Sequence, residues 1–151
     1  MATITYVHTN IITEDWKRLA DFYVDVFGCR PVPPERDLSG GWLDRATNIR
    51  SAHLRGVHLA LPGYEGNTPT LEIFQYARNV RSAEQIPNRL GFGHIAFRTD
   101  NVLELLAKVV EHGGSQLGEL VRTEIKGAGT ITFVYARDPD GNIVEIQSWE
   151  G

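Results

Sequence analysis

Four side chains in this sequence have the types and the spacing to hold a metal ion. His8 stands in "YVHTNIITED" (residues 6–15) and His94 in "GFGHIAFRTDN" (91–101), each set into an apolar, β-branched run that ends in a helix-capping residue. Glu72 in "TLEIFQY" and Glu145 in "NIVEIQSW" interrupt two further apolar runs. Successive strand residues point to opposite faces, so parity sorts them. If Val7, Ile11, Ile95, Phe97, Leu71, Ile73, Val144 and Ile146 pack against helices, then His8, Asn10, His94, Arg98, Glu72, Phe74 and Glu145 face the other way. Two neutral imidazoles and two carboxylates suit a borderline divalent ion such as Zn, Ni, Co, Mn or Fe. Four protein ligands leave positions for water or substrate in a six-coordinate site, and chemistry would happen there. A single strand histidine is more often a hydrogen-bonded structural residue. A glutamate in an apolar strand is harder to dismiss, because an unpaired buried carboxylate is costly.

The elements that must position these residues are written twice in the same order. "ITYVHTNI" alternates as a strand does. Thr13 or Asp15 then caps a helix with apolar positions at Trp16, Leu19, Ala20, Tyr23, Val26 and Phe27, and Gly28 stops it. The second copy runs from "FGHIAFRT" through Asn101, with Glu104 completing a capping box, to the stripe Val102, Leu105, Leu106, Val109, Val110 and the stop at Gly113–Gly114. Each copy closes with strands: "RGVHLALPG" and "TLEIFQYA" in the first, "TITFVYARD" and "NIVEIQSW" in the second. Pro139-Asp140-Gly141-Asn142 marks the hairpin between the last two. The pattern predicts an α+β fold of two paired βαβββ modules curled around a shared cavity. Residues 1–151 form one domain on this reading: module one about 4–76, a polar linker 77–90, and module two 91–149.

Bulk properties exclude several classes. A length of 151 residues with 42% hydrophobic and 23% charged side chains is that of one globular domain. A net charge of −4 gives no basic surface for nucleic acid. No apolar run approaches the roughly 20 residues that span a bilayer, so no membrane partner is expected. The single cysteine, Cys29, forms no internal disulfide and suits a reducing compartment. With no signal-peptide pattern at the start, the expected location is cytoplasmic.

Other residues invite weaker readings. His58 shares the cavity-facing parity with Gly56 and Ala60; it orients substrate, replaces one of the four ligands, or is simply a hydrogen-bonded structural histidine, the last being favoured. Residues 34–50, with Trp42, Arg45 and Arg50, read as a loop that either closes over an anionic substrate or is solvated around one anchoring tryptophan. "KGAGT" (126–130) reads as a turn rather than a phosphate cradle. His53 and His112 carry no assigned role, and nothing marks Cys29 as a nucleophile.

On these motifs the chain resembles the vicinal oxygen chelate superfamily, the group of glyoxalase I, methylmalonyl-CoA epimerase, bleomycin resistance proteins and extradiol dioxygenases. "VHTNI…ADFYVDVFG" is similar to the opening of the first module, and "GFGHIAFRTDN" and "DPDGNIVEI" to the start and end of the second. Carried over by position, the family's metal ligands fall on His8, Glu72, His94 and Glu145. The resemblance implies a metal-dependent lyase or isomerase of glyoxalase or epimerase type, acting on a small substrate with vicinal oxygens. Its metal would hold two substrate oxygens and stabilise the enediolate formed by proton abstraction, with Glu145 and Glu72 as catalytic proton carriers. Glyoxalase I usually carries an arginine where Ile12 stands, which argues against glutathione. Arg98, four residues after His94, matches the epimerase pattern, whereas Glu72 stands where epimerases often have glutamine. Arg98, Asn10, Phe74, His58 and Trp42 are the substrate-binding candidates. A homodimer is implied. The alternatives are a metal-free binding protein of bleomycin-resistance type and, third, an extradiol-type dioxygenase, which needs only two histidines and one carboxylate.

Overall fold

The computed structural model describes residues 2–150, which divide into two compact units, Met1–Arg81 and Ser82–Gly151. Unit 1 contains β1 (His8–Ile12), α1 (Trp16–Phe27), β2 (Arg30–Ser39), α2 (Gly41–Thr47), β3 (His53–Ala60) and β4 (Thr70–Tyr76), with the strands in the order β1-β4-β3-β2. Unit 2 contains β5 (Ile95–Arg98), α3 (Val102–Glu111), β6 (Ser115–Gln116), β7 (Val121–Ile125), β8 (Gly129–Arg137) and β9 (Ile143–Glu150). Its sheet runs β5-β9-β8-β6, with β7 also paired to β8. In both units the first strand lies parallel to the last, and the other pairings are antiparallel. The fold is α+β with two sheets, as the repeated pattern predicts.

Helix ends follow the sequence signals. The Asp15 side chain accepts from the Arg18 N–H at 3.2 Å, and Gly28 closes α1 with φ 74°. Such a left-handed cap strains any residue with a Cβ. Asn101 accepts from the Glu104 N–H at 3.1 Å, while the Glu104 carboxylate meets the Asn101 side-chain amide at 3.2 Å rather than its backbone. The stripe of α1 is buried at Leu19, Ala20, Tyr23, Val26 and Phe27, with Phe22 added and Trp16 only half-buried, and the helix packs on β3 and β4. In α3 the buried set is Val102, Leu106 and Val109, and Val110 is exposed. At the end of β8, Asp138 accepts from the N–H groups of Asp140 and Asn142, which fixes the turn into β9.

The stretch 34–50 departs from its reading as a loop. Most of its first part belongs to β2 and most of the rest to α2. Three prolines, Pro31, Pro33 and Pro34, hide the strand in the sequence, since proline removes ladder donors. The sheet tolerates them because β2 is an edge strand, and its register with β3 shifts between Val32 and Arg36. The Leu43 side chain of α2 is buried with Ala52, Leu54 and Phe74 in a small apolar cluster. Residues 77–90 carry neither helix nor strand. Within unit 2, Arg137 ties this stretch to β8 by bonding the Glu84 carboxylate at 2.5 Å and the Gln85 carbonyl at 2.9 Å.

Two properties of this core are measurable. A Cβ at Gly56 would lie 1.9 Å from the Ile73 carbonyl oxygen, because β3 and β4 approach each other there without room for a side chain. Gly56→Ala is expected to lower unfolding free energy by about 1–3 kcal/mol, the usual range for overpacking, in urea denaturation; an unchanged midpoint would contradict the close approach. Burial pushes the Cys29 thiol up to about 12. Thiol-reactive reagents at pH 8 should therefore label Cys29 only as the protein unfolds, and rapid labelling of folded protein would refute its burial.

Candidate metal centre

Each unit brings one histidine and one glutamate into contact on the sheet face opposite its long helix. In unit 1, β1 and β4 are paired so that His8 stands beside Thr70 and Asn10 beside Glu72. Leu71 and Ile73 turn toward α1, which leaves Glu72 on the other face with His8, as parity requires. His8 Nε2 lies 3.3 Å from Glu72 Oε1. In unit 2, His94 immediately precedes β5 rather than lying within it, and Ala96 pairs with Glu145 on β9. His94 Nε2 lies 3.2 Å from Glu145 Oε1. Both glutamates are well covered, with side-chain exposures of 14% for Glu72 and 11% for Glu145.

The third strand of each sheet adds a partner. His58 on β3 is the register partner of Glu72, and its Nε2 lies 2.9 Å from Oε2. Thr70 Oγ sits 3.0 Å from the other ring nitrogen, Nδ1. Burial lowers the His58 pKa, against the opposing pull of the Glu72 charge. Tyr135 on β8 is the register partner of Glu145 and occupies the equivalent place in unit 2. Its ring meets that of His94 edge-on at 5.0 Å, and its hydroxyl lies near enough to the Glu145 carboxylate to feel its charge. Sequence parity contained the signal for Tyr135, which alternates with the buried Val134 and Ala136, but its pairing with Glu145 depends on the β8–β9 register.

The remaining candidates are placed as follows. Asn10 Nδ2 donates to Glu72 Oε1 at 2.9 Å, so its amide holds the carboxylate. Phe74 is buried with Leu43, Ala52 and Leu54 beneath α2 and presents its ring to His58 edge-on, so it packs rather than facing open space. Trp42 is half-exposed on α2, where Gly40 and Gly41 leave its ring at the surface. Arg98 is exposed; it pairs across the sheet with Gln147 and lines a hollow of about 530 Å³ with Thr132 and Trp149. Gln147, not singled out from the sequence, donates to Glu145 Oε2 at 2.5 Å and accepts from the Trp149 indole. His53 is paired with Asp37 at 2.5 Å across β2 and β3. The donor atoms of His8, His58 and Glu72 lie within 4.8 Å of one another, and these are the residues among those described that group tightly enough to hold an ion within one unit.

This donor chemistry fits a divalent cation. Imidazole nitrogen and carboxylate oxygen bind Zn at about 2.0–2.2 Å, which sets neighbouring ligand atoms roughly 3 Å apart. The contacts of 2.9, 3.2 and 3.3 Å match that spacing.

The topology and this site define a family, and the sequence agrees. Residues 5–146 match the model of the Glyoxalase/Bleomycin resistance protein/Dioxygenase superfamily, and the chain belongs to it. Among solved structures it is similar to a glyoxalase family protein from Bacillus cereus, with 16% identity, TM-score 0.83, and coverage of 100% of this chain and 97% of the other. It is also similar to a glyoxalase/bleomycin resistance protein/dioxygenase family enzyme from Burkholderia phytofirmans PsJN, with 16% identity, TM-score 0.57, and coverage of 95% and 97%. A V278E variant of glyoxalase I from Zea mays matches at 23% identity and TM-score 0.62, over 94% of this chain and 43% of that one. No curated protein matches the chain. Among the described residues, no helix is long and apolar enough to cross a membrane.

The Tyr135 phenol carries a titration signature. Burial first, then the negative charge of Glu145, raises it above its ordinary value of 10.0. A group raised on folding contributes stability that is fully present below its unfolded value and lost as pH rises through the folded value. Urea midpoints of metal-free protein should therefore fall as pH rises above 10, and Tyr135→Phe should flatten that fall. Identical slopes for the two proteins would rule out a raised phenol.

Proposed function

We propose that the protein is a metal-dependent lyase or isomerase of glyoxalase or epimerase type, with His8, Glu72, His94 and Glu145 as its metal-ligating residues. The observation that carries this reading is the duplicated contact, an imidazole Nε2 against a glutamate Oε1 at 3.3 Å in one unit and 3.2 Å in the other. A structural role accounts poorly for two such pairs in equivalent places, because each takes a carboxylate largely out of water. Membership of a superfamily that includes glyoxalases supports it further.

The ion, when bound, supplies positive charge that polarises a substrate oxygen and makes the adjacent carbon acid. The chain supplies the base. Glu145 takes the carbon-bound proton on its carboxylate and returns it to a neighbouring position, so the net reaction is an isomerisation with no proton gained or lost. Gln147 holds that carboxylate in one orientation. Glu72, held by Asn10 and His58, is the equivalent base in unit 1. Arg98, exposed and in register with Gln147, offers a cation to an anionic substrate group from a hollow that Asp100 and Glu150 also line. Ile12, in the place of the usual glutathione-binding arginine, favours a substrate other than a glutathione adduct.

A homodimer belongs to the same proposal. Residues leading into both histidines display apolar side chains: Ile4, Tyr6 and Val7 before His8, and Leu90 and Phe92, both fully exposed, before His94. Large apolar side chains left this exposed suit a surface that a partner covers.

Protein purified without chelators should carry close to one equivalent of metal per chain by mass spectrometry, and His94→Ala and Glu72→Ala should lose it while keeping the wild-type circular dichroism. Hemithioacetals and acyl-CoA epimers incubated in D2O should then exchange the carbon-bound proton. Glu145→Gln should slow that exchange by about 10²–10⁴-fold, the usual contribution of a positioned general base. No metal after soaking in Ni, Co, Mn and Zn would overturn the enzyme reading in favour of a metal-free binding protein.

A further inference from the structure

The first strand, the last strand and the strand beside the last correspond in the two units, yet the residue that the third of these sets beside the glutamate differs. In unit 2 the register partner of the last-strand glutamate is Tyr135, a phenol. In unit 1 it is His58, which offers a ring nitrogen at 2.9 Å from Glu72 Oε2. We propose that His58 Nε2 is a metal ligand, so that unit 1 presents a two-histidine, one-carboxylate set of His8, His58 and Glu72.

Three observations support this. The two imidazoles address the two oxygens of one carboxylate, His8 Nε2 at Oε1 and His58 Nε2 at Oε2, and the three donor atoms lie within 4.8 Å of one another. The two rings meet edge-on, inclined at 77° with centroids 5.4 Å apart, instead of stacking. Thr70 Oγ takes up Nδ1 of His58 at 3.0 Å. Metal-bound histidines characteristically bond a polar group through the second ring nitrogen, which fixes the tautomer and leaves the first nitrogen's lone pair for the ion. Three protein donors from one unit are enough to hold an ion and still leave coordination positions for other ligands. His58 therefore anchors the ion more firmly to unit 1 than the four-ligand set alone would.

The inference rests on the metal-dependent reading above, and one set of measurements separates the two. Zn affinity of the full chain is read by competition with a chromophoric chelator, and the number of imidazole ligands by X-ray absorption, for wild type and for His8→Ala, His58→Ala, His94→Ala and Thr70→Val. His58→Ala should weaken Zn binding at least tenfold and remove one imidazole from the count. Thr70→Val, which leaves all ligands in place, should weaken it by about 10–100-fold, as loss of an outer-shell partner does. Should His58→Ala fail to fold, Thr70→Val decides, and unaltered affinity there overturns the proposal. Wild-type affinity and imidazole count in His58→Ala, with metal lost in His8→Ala and His94→Ala, would overturn the role of His58 and leave the four-ligand reading intact. Loss in His58→Ala with His94→Ala unaffected would uphold the His58 ligand and remove His94 from the set. Wild type that takes up no Zn would overturn both.

Discussion

The surroundings of both His–Glu pairs are organised by a carboxylate that has been drawn into a sheet. Glu72 and Glu145 sit in strands whose neighbours are among the most buried residues of the chain: Leu71 and Ile73 on one side, Val144 and Ile146 on the other. A carboxylate so placed loses most of its water, and the loss is tolerated only where other groups take the water's place. That requirement explains the company each keeps. Glu72 is met by His8, His58 and Asn10, and Glu145 by His94, Gln147 and Tyr135. The apolar parity that fixes α1 and α3 against the sheets also fixes which way the two glutamates point.

Much of this was legible in the sequence, for a physical reason. Period-two alternation and helix caps are local codes, so His8, Glu72 and Glu145 reached the expected face from neighbouring residues alone. His94 reached its contact with Glu145 although it lies just outside β5. What local reading missed depends on which strands lie side by side. Strand β2 was hidden by its prolines, which are admissible only because the sheet leaves that strand at an edge. Phe74 was sorted to the right face, but α2, covering that part of the face, turned a substrate candidate into core. The pairing of His58 with Glu72 and of Tyr135 with Glu145 is a matter of register between strands, and no window of sequence contains it. For His58 the structure therefore adds a charged partner to the hydrogen bond that the sequence reading had favoured.

The duplication is one of topology more than of chemistry. Both units place a histidine on the first strand or at its threshold, and a glutamate on the last strand beside it. Around that shared pair the residues diverge: Asn10 against Ala96, and His58 against Tyr135, at equivalent register positions. Both glutamates meet an imidazole and an amide, and unit 1 adds a second imidazole where unit 2 places a phenol. Two copies of one fold thus give the two carboxylates different environments, which is the usual means by which a pair of like groups comes to play unlike parts.

The parallel pairing of the first strand with the last has a kinetic consequence. In unit 1, Asn10 and Glu72 meet across 62 residues of chain, and β1 has no other strand neighbour. Contacts this remote in sequence form only after the intervening loop has lost its freedom, so they belong to the late part of folding. The donor set does not exist until the hairpins of β2, β3 and β4 are already in place and the amino-terminal strand has docked beside them. A ligand on that face cannot then nucleate the fold or speed its assembly. It acts on the return path, by holding down the strand that would otherwise be the first to leave, and its effect appears in the rate of unfolding.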